Sequence, residues 1–392
     1  MGYAYESAKA FGRAYISSGV SPQFFIVLSY RVAQWQDVAI KTLRNMTIKK
    51  ERDTFFDGLK FVLIILVVFG HVMGRHMSDT INLNLITFIW FFHMPLFVFI
   101  SGYFTNKKQD LKSLKKWLIP IFETFICFDI IYLLYPILAG TYSHKQLLVP
   151  QYLTWYLLSL IYWRIFIQFV PDKILNKKSF VLILSVIVSL LFLLIPYYGR
   201  LLSYQRTIGL LPFFLLGYYA KNTTCIERIK KINPIITGSI LIGIFIGISL
   251  LDSDLKTMLL RASHFANDRL DIISDNTLLN ILVRIFCLII AIIMSVCVIN
   301  LCKFTTELLR FYGKDTMLFF IYHGLFIHVF IHIFNKLNIL SEYPFVSDLF
   351  MFVIIMILLF IMVKFRIFHL LINPISNFRK YITTKYNNQK RI

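Results

Sequence analysis

A helix needs about 20 consecutive, mostly apolar residues to cross a bilayer, and this chain offers such runs repeatedly. Ten lie between polar breaks, at about 58–77, 84–104, 117–138, 151–170, 179–197, 206–220, 234–251, 278–300, 316–335 and 346–363. The run at 206–220 is the shortest and contains Pro212. Backbone inside lipid must satisfy its own hydrogen bonds, so only helices or a closed barrel can span it. Runs of this length specify helices. The expected fold is an all-α polytopic membrane protein of about ten transmembrane helices. Of the 392 residues, 58% are hydrophobic and 17% aromatic, an excess that a soluble domain does not carry.

The net charge of +21 is placed as membrane topology requires, and this excludes nucleic acid as the partner it would otherwise suggest. With the N-terminus inside, the inner segments hold 30 Lys and Arg and the outer loops hold 7. Four more lie within the runs, namely Lys60, Arg164, Arg206 and Arg284. The expected orientation is therefore N-in and C-in. Residues 1–50 read as a cytoplasmic extension, whose stretch "SPQFFIVLSYRVAQWQ" suits a helix lying on the inner surface among membrane lipids. Residues 51–365 read as the membrane domain and 366–392 as a basic cytoplasmic tail. The first 23 residues lack the pattern of a cleaved leader. The one sizeable outer loop, 252–277, reads either as a plain tether or, with Tyr, Trp and polar residues at the outer ends of the runs, as part of a sugar-binding surface. The five cysteines lie in or beside apolar runs without metal-ligand spacing, so they are expected to pack and not to bind a metal.

The first run, "FFDGLKFVLIILVVFGHVMGRH", carries charge where lipid makes it expensive. His71 follows Lys60 by eleven residues, which is about 16 Å along a helix and within about 20° of the same face. Asp57 falls within about 40° of that face as well. In the second run, "WFFHMPLFVFISGYF" returns toward the inner side and places His93 at about the depth of His71. Pro95 removes a backbone donor beside it. Two intramembrane imidazoles at matched depth, above a shared acid and base, point to function more than to packing.

The ninth run adds "YGKDTMLFFIYHGLFIHVFIH". His323 is a candidate site residue. His328 and His332 have the spacing of some metal sites, but no glutamate follows the first and no third ligand is evident. Glu123 and Asp129 in the third run are candidates to pair with a histidine or arginine. Trp155 reads either as an interface anchor or as a sugar-stacking platform. Arg164 and Arg284 are expected to snorkel. After the second run, "NKKQDLKSLKKW" supplies a lysine cluster that anionic lipid or a polyanionic ligand would find attractive.

Five segments, "ERDTFFDGLKFVLIILVVFGH", "FHMPLFVFISGYF", "TWYLLSLIYWR", "RTIGLLPFFLLGYY" and "YGKDTMLFFIYHG", occur in an order that resembles the acyltransferase 3 family of bacterial integral-membrane O-acyltransferases. The likeness extends to its fucose 4-O-acetylase-like branch and covers roughly 51–365. It implies transfer of an acetyl group from acetyl-CoA to a hydroxyl of a saccharide or lipid-linked glycan, in the bacterial plasma membrane. The family's first helix often carries an arginine a few turns ahead of its essential histidine. Here Lys60 stands at that position, and His71 matches the histidine. A basic pair that is often two arginines would fall on Lys112 and Lys115. Lysine keeps the charge but lacks the bidentate fork.

On this reading, the candidate catalytic residues are His71, His93 and Asp57. Arg52, Lys60, Lys112, Lys115 and His323 are the candidates for binding the donor. A neutral imidazole can take the proton of an incoming hydroxyl, and a covalent acetyl-histidine relay is an open alternative. A transporter or flippase for lipid-linked sugars is the competing class, with the histidines as a proton relay. The absence of an evident inverted repeat disfavours it. A sensor or assembly subunit is disfavoured by the cost of so many buried polar groups.

Overall fold

The computed structural model describes residues 53–107, 110–138, 148–192, 201–265 and 277–377. Arg52 and the expected 1–50 extension lie outside the described residues, as do 266–276 of the outer loop and 378–392 of the tail. Every regular element among the described residues is helical. In chain order the principal ones are α1 (Thr54–Met73), α2 (Thr80–Tyr103), α3 (Leu111–Leu138), α4 (Trp155–Phe169), α5 (Lys178–Leu191), α6 (Tyr204–Gly209), α7 (Leu211–Ala220), α8 (Pro234–Leu250), α9 (Ser253–Ala262), α10 (Thr277–Leu301), α11 (Thr316–Lys336) and α12 (Pro344–Val363).

Six helical segments are long and apolar enough to cross a membrane: Thr54–His76, Thr80–Tyr103, Lys112–Leu134, Leu278–Phe304, Glu307–Lys336 and Pro344–Val363. Lys178–Leu191, Leu211–Ala220 and Pro234–Leu250 are apolar but shorter. The protein is therefore an all-α polytopic membrane protein whose crossing helices number about six by length and composition. The run at 206–220 divides between α6 and α7, and Pro212 sits in the first turn of α7. Its missing donor costs nothing there, because first-turn N–H groups have no intrahelical partner.

Of these helices, α1 and α2 form the centre. α1 packs on α2, α11 and α12, and α2 packs also on α7, α8, α9 and α10. The outer helices face the opposite way. α8 turns Ile235, Ile236, Ile242 and Ile246 outward and buries Thr237 and Ile248. An exposed apolar face of that extent fits lipid and not water.

Two glycines explain why α2 and α7 approach so closely. A Cβ on Gly102 would collide with the Phe214 carbonyl, and one on Gly217 would collide with the Phe99 carbonyl. Each glycine thus receives the other helix's backbone, the contact that small residues permit in lipid. The segments "SGYF" and "LLGYY" are the two halves of this crossing.

The ends of α1 are pinned differently. At its start, Gly313 lies against the Asp57 backbone, where any side chain would collide. At its far end, the turn Gly74–His76 is tied to α12 by Asp348, which is fully buried. His76 Nδ1 lies 3.0 Å from Asp348 Oδ1, Arg75 Nη1 lies 3.5 Å from the same oxygen, and Asn82 Nδ2 donates to Asp348 Oδ2 at 2.8 Å. Arg75 Nη2 also donates to Asn335 Oδ1 of α11 at 2.6 Å. The carboxylate lies near the N-terminus of α12, where the helix dipole favours a negative charge.

Candidate functional site

His71 occupies the last turn of α1, and three elements converge on its ring. His323 of α11 stands with its ring centroid 5.5 Å away, Tyr152 5.3 Å away and Trp90 of α2 6.1 Å away. Gly70 makes the approach of Trp90 possible, since a Cβ there would lie 3.0 Å from the indole nitrogen. His93, one helical turn beyond Trp90, lines the same cavity as His71. The cavity measures about 270 Å³, and Trp155, Arg206 and His264 also line it. The rest of its wall comes from the turn after α1, the 148–154 connection, α6 and the end of α9. It therefore sits at the end of the bundle where α1 hands over to α2.

Hydrogen bonds fix which nitrogen donates in the buried imidazoles. His93 Nδ1 lies 3.0 Å from the Ile89 carbonyl, and His323 Nδ1 lies 2.9 Å from the Phe319 carbonyl. A carbonyl only accepts, so Nδ1 carries a proton in each ring, and in the neutral imidazole Nε2 then keeps its lone pair. His264 Nδ1 makes the same bond to Leu260, at 2.7 Å, and its ring meets Trp90 edge-on at 4.3 Å. His323 is completely buried and its Nε2 has no partner among the described residues. A buried acceptor left unmatched costs about 1–3 kcal/mol.

Tyr152 owes its place to the segment before α4. Its φ of 47° is unusual for an aromatic residue and marks a strained turn. Asp129 secures that turn by accepting from the Gln151 amide at 2.7 Å and from the Thr154 hydroxyl at 2.5 Å. Gly324, the residue after His323, makes room for the Tyr152 ring, which a Cβ there would strike at 2.6 Å. Glu123, by contrast, accepts from the Ser376 amide and hydroxyl at 2.9 and 3.0 Å. Both acids thus bind backbone and hydroxyl donors where pairing with a histidine or arginine was expected.

The expected catalytic set divides. His71 and His93 line the cavity, and His323, which was expected with the donor-binding residues, does not line it but stands with its ring 5.5 Å from that of His71. Asp57 lies at the opposite end of α1, about 21 Å along the axis from His71. There it forms an ion pair with Lys60, Oδ1 to Nζ 2.7 Å, with Asp57 nearly buried. Lys60 also lies 5.9 Å from the centroid of Phe104, just past the end of α2. Lys112 and Lys115 are exposed on the first turns of α3, and Lys107 is paired with Asp172 at 2.8 Å. A basic surface therefore exists at the Lys60 end, away from the imidazoles.

Other expectations resolve plainly. Trp155 lines the cavity, and the Arg206 guanidinium lies 4.7 Å from its ring centroid. Arg284 does not snorkel; it is 1% exposed and rests 5.3 Å from the Phe265 ring. Arg164 lies 3.4 Å from the Trp117 ring. His328 packs its ring on Tyr152 at 4.7 Å, and no group of three His, Cys, Asp or Glu among the described residues could hold a metal ion.

Sequence reasoning missed Trp90, Tyr152, Arg206, His264 and the Asp348 cluster. The signals were present but local and aperiodic: "RASHF" in the outer loop, read either as a tether or as a sugar-binding surface, and an arginine inside a short apolar run.

A family model described as an acyltransferase domain matches residues 53–365. No curated protein and no solved structure matches the chain.

Proposed function

The chain belongs to the acyltransferase 3 family, and from that premise we propose that it moves an acetyl group from acetyl-CoA to a hydroxyl of a cell-surface or exported saccharide. The observation that carries this reading is the pair His71 and His93 lining one aromatic-walled cavity, with the His323 ring 5.5 Å from that of His71. At about 270 Å³ the cavity is just below the roughly 300–1,000 Å³ of drug-sized sites. It suits one sugar ring and the hydroxyl that reacts. The five-segment likeness favours the fucose 4-O-acetylase-like branch.

His71 takes the proton from the acceptor hydroxyl through a ring nitrogen as the oxygen attacks the thioester carbonyl. The tetrahedral oxyanion collapses, the C–S bond breaks, and the proton passes to the departing thiolate. His93 and His323, each held through Nδ1, are assigned to share the proton or orient His71. Tyr152 and Trp90 wall the reacting atoms from water, which strengthens every polar interaction inside. Lys60, ion-paired with Asp57 in the absence of donor, is assigned with Lys112, Lys115 and Arg52 to the phosphates of the donor. The excess of inner Lys and Arg supports ten spans with both termini inside. That orientation puts the Lys60 end at the cytoplasm and the imidazole cavity toward the outer face.

The test is incubation of purified protein in nanodiscs with acetyl-labelled acetyl-CoA and an oligosaccharide panel. Label on a saccharide hydroxyl is the expected result. Passage of a lipid-linked sugar across a liposome membrane without any label transfer would instead establish the flippase.

A further inference from the structure

Arg164 is a cation for which the described residues supply no counter-charge. It lies in α4, five residues before the end at Phe169, and is partly buried. Its guanidinium carbon rests 3.4 Å from the centroid of the Trp117 ring in α3. Its Nε is closed off from solvent and has no hydrogen-bond partner, and the guanidinium makes no hydrogen bond or ion pair among the described residues. The carboxylates on these two helices and beside them hold other groups. α4 contains no acid, and the two acids of α3 are Glu123, which accepts from Ser376, and Asp129, which accepts from Gln151 and Thr154. Of the flanking acids, Asp110 accepts from the Ser113 amide and hydroxyl, and Asp172 is ion-paired with Lys107.

The charge on the neighbouring turns is positive as well. Lys112, Lys115 and Lys116 stand exposed on the part of α3 that leads to Trp117. A guanidinium stays charged at any physiological pH, and stacking on an indole fixes its plane without neutralising it. The N–H edge is then held as a fork that matches two oxygens of one anion. Five residues of helix are about 7.5 Å, so Arg164 lies within side-chain reach of the headgroup layer at the Phe169 end, where lipid phosphates lie. From this geometry we infer that Arg164, stacked on Trp117 beside the α3 lysines, binds a phosphate ester. Two molecules bring that group to this end of the bundle: an anionic phospholipid through its headgroup, and a nucleotide such as the adenosine bisphosphate end of an acyl-CoA.

Phosphate binding at Arg164 does not depend on acyl transfer, and it is read without any reaction. The experiment uses purified, delipidated full-length protein in a neutral detergent, with thermal shift and tryptophan fluorescence as readouts. The probes are two matched pairs that differ in their phosphates: dihexanoyl phosphatidylglycerol with dihexanoylglycerol, and adenosine 3′,5′-bisphosphate with adenosine. Expected is saturable binding of at least one phosphate-bearing probe at concentrations where its phosphate-free partner has no effect. Binding of phosphatidylglycerol alone assigns the site to a lipid headgroup, and binding of the bisphosphate alone assigns it to a nucleotide. Mutual displacement of the two shows one site that accepts either.

Arg164→Gln should weaken that binding about 10- to 100-fold, and Arg164→Lys should fall between, since it keeps the charge without the fork. Without ligand, Arg164→Gln should melt no lower than the unaltered protein, because it removes a charge that no described group balances. Equal binding within both matched pairs would overturn the inference. So would unchanged affinity in Arg164→Gln, which would leave phosphate binding to the lysines, or a lowered ligand-free melting temperature with affinity intact, which would make Arg164 a packing residue. If Arg164→Gln does not fold, Arg164→Lys decides: weakened binding supports the site and unchanged binding overturns it. Phosphate binding by a protein that labels no saccharide would leave the site standing and reject the acyl-transfer reading.

Discussion

His71 and His323 hold their rings 5.5 Å apart, although one ends α1 and the other lies in α11. His323 donates through Nδ1 to Phe319, and its fully buried Nε2 has no partner among the described residues. Replacing it with phenylalanine keeps the ring and removes the acceptor. Transfer by His323→Phe should fall about 100-fold or more, while its elution and melting in detergent stay close to those of the unaltered protein. Undiminished transfer would reduce His323 to a packing residue.

Lys60 and Asp57 make opposite predictions about the donor. Lys60→Ala removes a cation assigned to the donor phosphates and should raise the apparent KM for acetyl-CoA about tenfold. Asp57→Asn leaves that cation in place and relieves it of its ion pair. Its KM for acetyl-CoA should be unchanged or lower. Steady-state kinetics on both variants decide the matter, and an unaltered KM in Lys60→Ala would remove Lys60 from the donor site.

Gly324→Ala tests how tightly the wall beside the histidines is built. The added methyl would collide with the Tyr132 hydroxyl and the Tyr152 ring. The Tyr132 hydroxyl is tied to the Ile321 carbonyl at 2.7 Å, so Tyr152 is the group that must move. Overpacking of this kind costs about 1–3 kcal/mol, visible as a lowered melting temperature. Transfer should drop as well, because Tyr152 borders His71. A variant with unaltered melting and transfer would show that the wall yields freely.

Asp348→Asn tests the tie between α1 and α12. The carboxylate balances Arg75 and His76 in a buried position, and its removal leaves Arg75 without a counter-charge there. Breaking a buried pair from one side costs about 3–5 kcal/mol. The partial exposure of His76 places the expected loss toward the lower end. Thermal unfolding in detergent measures it, and a change near zero would mean that the turn after α1 is held by other contacts.

Much of the frame was legible in the sequence because bilayer thickness imposes a length on apolar runs. The matched depth of His71 and His93 followed from helical rise alone, and both line the cavity. What the sequence hid was set by turns and long-range contacts. Tyr152 reaches His71 through a residue with positive φ, and no periodicity encodes that. Asp348 meets His76 across most of the chain. Asp57 shares a helical face with His71, but helical phase cannot report that Lys60 claims its carboxylate. Four runs of apparent membrane length hold described helices of 10 to 17 residues, α4, α5, α7 and α8.

The central claim is that His71 is the base of an acyl transfer. It is tested most directly by incubating purified His71→Ala with acetyl-labelled acetyl-CoA and an acceptor that the unaltered protein labels. The account predicts that the variant folds, still binds acetyl-CoA, and transfers at least about 100-fold less label. Transfer at the unaltered rate would contradict it.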